Sequence, residues 1–203
     1  MGTARTRRYQ LKRRATAMEQ TRRRIVEATV ELHRTMGPAK TTISAIAAAA
    51  GVQRPTVYSH FPNQVDLLRA CQAHFLEEHP PPDLTSCLAV PDPADRLSGC
   101  LHELYAYYRA TQGMTAKLLA DAQTTPHVRT VMHGYYDLQR FLTGELAKGW
   151  PGKRRLIGAA VGHALDFWTW KSLAQRHLSD AEAVEIMIAL LRSLASSGTS
   201  ADQ

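Results

Sequence analysis

Apolar side chains in this chain return every three or four residues, and no segment alternates apolar with polar residues for the length of a strand. That period restricts the chain to helices packed on helices, an all-α class. The pattern is clearest from Thr21 to Met36, where Ile25, Ala28, Thr29, Leu32 and Met36 fall on one face. Gly37-Pro38 ends this helix, Gly as a C-terminal cap and Pro as a breaker. A short helix starts at Thr41-Thr42, whose hydroxyls suit an N-cap, and closes at Gly51-Val52. A second short helix runs from Arg54 to His60, with Pro55 in its first turn, and Phe61-Pro62 ends it. Asn63 caps the next, with Asp66 three residues on, and Val65, Leu67, Leu68, Cys71 and Phe75 carry it to about Glu78.

Pro80, Pro81 and Pro82, then Pro91 and Pro93, mark the strongest boundary. Beyond it the pattern predicts helices over 93–111, with Gly113 as an interruption, then 114–122, 127–148, 153–175 and 180–195. Ser179 and Glu182 form a capping box before the last. Residues 1–18 lack apolar periodicity and read as a flexible basic arm. The expectation is nine helices in three regions: the arm, a head over 19–78 and a body over 79–203.

Charge divides the chain in the same way. Residues 1–75 hold 13 Lys and Arg against 4 Asp and Glu, and the remainder 12 against 14. Six of the cations, Arg5, Arg7, Arg8, Lys12, Arg13 and Arg14, lie in the arm. A basic first third on a nearly neutral remainder is the footprint of a nucleic-acid-facing head, although a basic tail alone would give part of it. No run reaches the roughly 18 apolar residues of a membrane span, and the Arg-rich start lacks the apolar stretch of a secretory signal. Cys71, Cys87 and Cys100 fit neither a disulfide framework nor a metal spacing, and read as reduced thiols of a cytoplasmic protein with no metal and no cofactor.

Catalysis finds little support. His-Glu-x-x-His, Gly-x-Ser-x-Gly and a phosphate-binding glycine loop are all missing. His163 and Asp166, three apart on one expected helix, suggest a local hydrogen bond rather than a catalytic pair.

Two short helices joined at a glycine, the first rich in small Ala residues, form a pattern shared by helix-turn-helix DNA binders and ordinary bundles. The residues themselves go further. Thr41-Thr42-Ile43, Ile46-Ala47, Ala50-Gly51-Val52, Thr56-Val57-Tyr58, His60-Phe61 and Leu67-Leu68 resemble the N-terminal signature of the TetR family over about residues 21–75. The resemblance implies that Thr42 meets a phosphate, and that Gln53, Arg54, Pro55 and Thr56 open a recognition helix. Tyr58, His60 and Gln64 would then lie toward the DNA backbone. Arg54 is the best base reader, since a guanidinium pairs with guanine edges. The chain departs from many relatives in having Gln53 for Ser, Pro55 for Gly and Gln64 for Lys. Pro55 removes one backbone donor, Gln64 is a weaker phosphate partner, and the basic arm is a candidate to compensate along the backbone or in a minor groove.

The resemblance also implies a homodimer on a palindromic operator, paired through the helices over 153–175 and 180–195, with a small-molecule effector in the body. The aromatic mixture there offers Tyr105, Tyr108, Met132, His163 and Trp168 as candidate lining for a flat or hydrophobic compound. The implied function is a repressor released from DNA by its effector. The alternatives are a DNA-binding regulator or activator without a ligand, and a helical interaction protein with a basic tail.

Overall fold

The computed structural model describes residues 2–199; of these, the side chains of residues 2–8 and 198–199 lie outside the description. Eleven α-helices and one 3-10 turn are present among the described residues, with no strand. The chain divides into two packing units, residues 1–80 with 116–132, and 81–115 with 133–203.

The first unit opens with α1 (Gly2–Met36), then a 3-10 turn (Pro38–Lys40), α2 (Ile43–Ala49), α3 (Arg54–His60) and α4 (Gln64–Glu78). Ile25 and Val26 of α1, Ile46 and Ala47 of α2, Val57 of α3, and Leu67 and Cys71 of α4 form one buried cluster. Burial pushes the Cys71 thiol up to about 12, so it stays protonated and packs as a small apolar group. The caps are those the sequence suggests. Thr42 Oγ1 accepts from Ala45 N at 3.1 Å, and Asn63 Oδ1 from Asp66 N at 2.9 Å. Gly37 and Gly51 take φ of 89° and 63°, a left-handed backbone that other residues adopt only at a cost.

The start of α1 differs from expectation. The backbone is helical from Gly2, and Arg5, Arg7 and Arg8 fall on the stretch whose side chains lie outside the described residues. Every residue from Tyr9 to Gln20 is exposed. Periodicity failed there because residues 9–20 bury no face, while their Ala, Arg, Leu, Lys, Gln and Met are good helix formers.

The unit is completed by the end of α6 (Pro93–Thr124) and by α7 (Pro126–Val131). Asp121 Oδ2 accepts from Ala39 N at 2.8 Å and holds the 3-10 turn. Arg129 donates to the carbonyls of Ala122 and Gln123 at the end of α6. Burial pushes the His33 imidazole down to about 4, with Asp121 raising it and His127 lowering it further.

The second unit holds α5 (Thr85–Leu88), the first part of α6, α8 (His133–Leu146), α9 (Arg154–Leu165), α10 (Phe167–Ala174) and α11 (Asp180–Thr199). Leu97, Leu101, Tyr105, Leu142, Leu146, Ile157, Leu165, Phe167, Trp170 and Leu191 are fully buried in it. Ser179 and Glu182 form the expected capping box, with Glu182 N donating to Ser179 Oγ at 3.2 Å and Ser179 N to Glu182 Oε2 at 2.8 Å.

Several expected boundaries move, and nine helices become eleven. Gly113 does not interrupt α6, because a helical glycine costs only about 1 kcal/mol against Ala. The expected helix over 127–148 breaks at Met132, and the one over 153–175 breaks at Asp166. A short α5 forms inside the Pro-rich loop, and Cys87 on it is joined by a disulfide to Cys100 on α6, with Cα atoms 5.5 Å apart. The expectation of three reduced thiols is therefore corrected. Gly99 permits the approach, since a Cβ there would lie 3.2 Å from that of Cys87.

Candidate nucleic-acid interface

The turn between α2 and α3 is made by backbone alone. Gly51 N donates to Ala48 O and Val52 N to Ala47 O, at 3.2 and 2.9 Å, which satisfies the last carbonyls of α2 while the chain reverses. Nothing lies within 4 Å of a Cβ built on Gly51, so glycine is required by conformation and not by space.

Val57 and Phe61 fasten α3 to the core. The rest of the helix faces outward. Gln53, Arg54, Pro55 and Tyr58 are exposed, and Thr56 and His60 half-buried. Gln53 is the N-cap residue but makes no side-chain cap bond. Pro55 stands in the first turn, where the amide it lacks would have no partner within the helix. Tyr58 is 48% exposed, so its ring is not part of the core. Thr42 and Gln64 are exposed at the starts of α2 and α4. The Thr42 oxygen accepts the Ala45 amide, yet its hydroxyl hydrogen remains available to donate to an anion.

Two features escaped the motif reading. From Leu32 to Val65 the chain carries no Asp or Glu, while Arg34, Lys40 and Arg54 are present. This acid-free run contains α2 and α3 entirely, and a count of charge in short windows would have found it. Lys40, exposed just before the Thr42 cap, joins the candidates. Arg22 of α1 lies with its guanidinium 5.0 Å from the centre of the Phe61 ring, at the end of α3.

The candidate effector residues differ in their surroundings. Tyr105 and Tyr108 are buried, and their hydroxyls donate to the carbonyls of Ala164 and Leu165 at 2.8 and 2.9 Å. Gln139 donates to the Tyr108 hydroxyl at 2.8 Å. Burial pushes the Tyr108 phenol up to about 12, and that of Tyr135 is raised for the same main reason. Tyr108, Phe167 and Trp170 form an aromatic cluster of edge-to-face and tilted rings with centroids 5.5 to 5.9 Å apart. Trp170 Nε1 donates to Asp180, whose carboxylate is bonded by Arg109 and held below its ordinary range by it. His163 and Trp168, by contrast, are exposed on the surface of the chain, and Met132 is buried in the other packing unit. The break at Asp166 resets the helical phase within the expected helix over 153–175. Asp166 itself caps α10, accepting from Trp168 N and Thr169 N. His163 lies 3.1 Å from the Thr169 hydroxyl, which replaces the expected His163–Asp166 bond.

Among the described residues, no helix is long and apolar enough to cross a membrane, and no group of three His, Cys, Asp or Glu is placed to hold a metal.

Comparison with known proteins agrees with this geometry. Residues 25–71 match the family model of bacterial regulatory proteins of the tetR family. A 73-residue stretch is 40% identical to the HTH-type transcriptional regulator SrpR of Pseudomonas putida, covering 34% of this chain and 34% of that protein. The chain thus matches about a third of the length of this curated relative. Solved structures extend the likeness of fold. A Clostridium perfringens protein named as a fatty acid metabolism regulator has a TM-score of 0.60 at 16% identity, over 83% of this chain and 97% of its own. A TetR transcription regulator from Haloarcula marismortui has a TM-score of 0.56 at 19% identity, over 89% and 98%. A Saccharomonospora viridis protein solved in complex with choline has a TM-score of 0.56 at 16% identity, over 86% and 95%.

Proposed function

Because the chain belongs to the TetR family of transcriptional regulators and carries its helix-turn-helix, we propose that it is a dimeric repressor released from a palindromic operator by a small effector. The observation that carries this reading is α3: pinned to the core by Val57 and Phe61, it turns Gln53, Arg54, Pro55 and Tyr58 outward within an acid-free stretch. In the proposal residues 19–78 form the DNA-binding head and 79–203 the dimerising, ligand-binding body. Arg54 reads a base edge, Gln53 and Thr56 lie at the groove, and Thr42, Tyr58, His60 and Gln64 meet phosphates.

One head covers one half-site, and two half-sites about a helical turn apart require a second copy. Leu156 on α9, and Ile186 with Leu190 on α11, are large apolar residues left exposed, and they support pairing through these helices. Effector release requires that the ligand favour the dimer state that fits the operator poorly, a coupling of about 1–3 kcal/mol. The polar-aromatic group of Tyr105, Tyr108, Tyr135 and Gln139 supports a ligand site in the second unit. A ligand-independent regulator is the second reading. The observation in its favour is that Tyr105 and Tyr108 already use their hydroxyl hydrogens on backbone carbonyls.

The test is selection of bound duplexes from a random pool at graded salt, with the recovered sequences read out. A palindrome with half-sites about one turn apart is expected. Binding that disappears at moderate salt with no motif recovered would overturn the reading. With the operator in hand, a panel of hydrophobic, aromatic and quaternary ammonium compounds separates the two readings. Release by one supports the effector, and operator affinity unchanged by a compound that binds the chain supports the ligand-independent regulator.

A further inference from the structure

The exposed first part of α1 has no role in the proposal above. It carries no acid before Glu19, and Lys12, Arg13 and Arg14 sit together on it. From Tyr9 to Gln20 every position is exposed, so burial within this chain gives the segment nothing. A helix with no buried face, here with Tyr9, Leu11 and Met18 also exposed, is held either by its own local contacts or by something it binds.

Its origin is fixed with respect to the recognition helix. Arg22 stacks over Phe61, the C-cap residue of α3, so the segment leaves the core beside the turn that holds Tyr58 and His60. At about 1.5 Å per residue, the ten residues back from Arg22 to Lys12 extend about 15 Å. That is comparable to roughly four base-pair steps along a strand.

We infer that residues 9–20 form a helical outrigger that binds the phosphates of duplex DNA flanking each half-site, without reading sequence. This rests on the DNA-binding proposal and extends it. The form of the segment decides the mode. A helix is about 10–12 Å across and a minor groove about 6 Å wide, so as a helix the segment lies across the phosphate backbone. The minor-groove alternative raised by the sequence requires it to unwind.

The test uses the full chain and the operator found by selection, on two duplexes: one ending at the palindrome, the other extended by a helical turn at each end. Wild type binds the extended duplex more tightly and with a steeper salt dependence. Replacing Lys12, Arg13 and Arg14 by Ala, which keeps helix propensity, abolishes that difference. With three fewer phosphates neutralised per head, the slope of log affinity on log salt falls by about 2.7 per head, roughly 40-fold over a fourfold change in salt. Equal binding of wild type to both duplexes overturns the inference, as does an equal loss by the triple variant on both. Absence of operator binding by wild type is a separate result that removes the DNA-binding proposal and the inference with it. Ala15→Pro tests the helix itself, because it keeps every charge and breaks the segment. Loss of the flank-dependent gain is expected. Retention of that gain, sensitive to a minor-groove ligand, would overturn the helical mode.

Discussion

Two pairs of consecutive helices are joined by short breaks, and the breaks are held by different means. Between α2 and α3 the turn depends on one glycine with φ of 63° and on backbone bonds spanning three to five residues. Between α9 and α10 the chain turns at Asp166, whose carboxylate caps α10, while Tyr105 and Tyr108, 57 to 59 residues away, hold the carbonyls of Ala164 and Leu165. The first turn makes its hydrogen bonds within itself and leaves the outer face of α3 free. The second is built into a buried polar-aromatic cluster and surrounds Phe167 and Trp170 with neighbours. A surface that must meet an external partner is best made by a turn whose hydrogen bonds are all local, and a core turn can rely on many groups at once.

The largest test of this contrast is Trp170→Ala. Removing a fully buried indole from the α9–α10 cluster should cost about 3–5 kcal/mol, read as a lower midpoint in urea, and also leaves Asp180 without one donor. A loss under about 1 kcal/mol would mean that the cluster adds little to the second unit. Next in size is the Cys87–Cys100 link. A loop of this length stabilises by about 3 kcal/mol in the chain-entropy account, so the Cys87→Ser, Cys100→Ser double variant should unfold earlier in urea. Thiol reductant should lower the wild-type midpoint toward that of the variant and leave the variant unmoved. Arg54→Ala on the exposed face of α3 should leave stability within about 0.5 kcal/mol. It should weaken operator binding by about 1–3 kcal/mol and relax selection at one base position, seen by repeating the duplex selection. The smallest effect on folding among the residues of the second turn belongs to Asp166→Ala, about 1 kcal/mol for a lost cap, because the tyrosine hydroxyls still hold the carbonyls before the turn. If Asp166→Ala proved as damaging as Trp170→Ala, the claim that this turn has distributed support would fail.

Legibility in the sequence follows the same distinction. Thr42, Gly51, Asn63 and the Ser179–Glu182 box were readable because each partner stands within a few residues, and their bonds are present as expected. The outward residues of α3 were named from their resemblance to a family, while local pattern alone left a bundle open. Asp166 gave no such signal, since the groups that make its break tolerable sit on α6, far along the chain. His163 and Trp168 were named as pocket candidates from the aromatic mixture of the body, and composition does not show the break at Asp166 that falls between them. The disulfide was hidden because Cys87 reaches Cys100 only through α5, a single helical turn in a Pro-rich loop. Residues 9–20 of α1 were invisible to periodicity because they bury no face.

The two positive-φ glycines of the head carry a consequence for sequence variation. Gly51 is held by conformation alone, and Asn, which visits the left-handed region at modest cost, is an admissible neighbour in sequence space. Gly37 is constrained twice. It adopts φ of 89°, and a Cβ there would stand 2.8 Å from Asp121 Oδ2, the oxygen that receives the Ala39 amide. A library drawn at both positions and sorted for folded chains should therefore recover Asn beside Gly at 51 and little but Gly at 37, unless position 121 is allowed to vary with it.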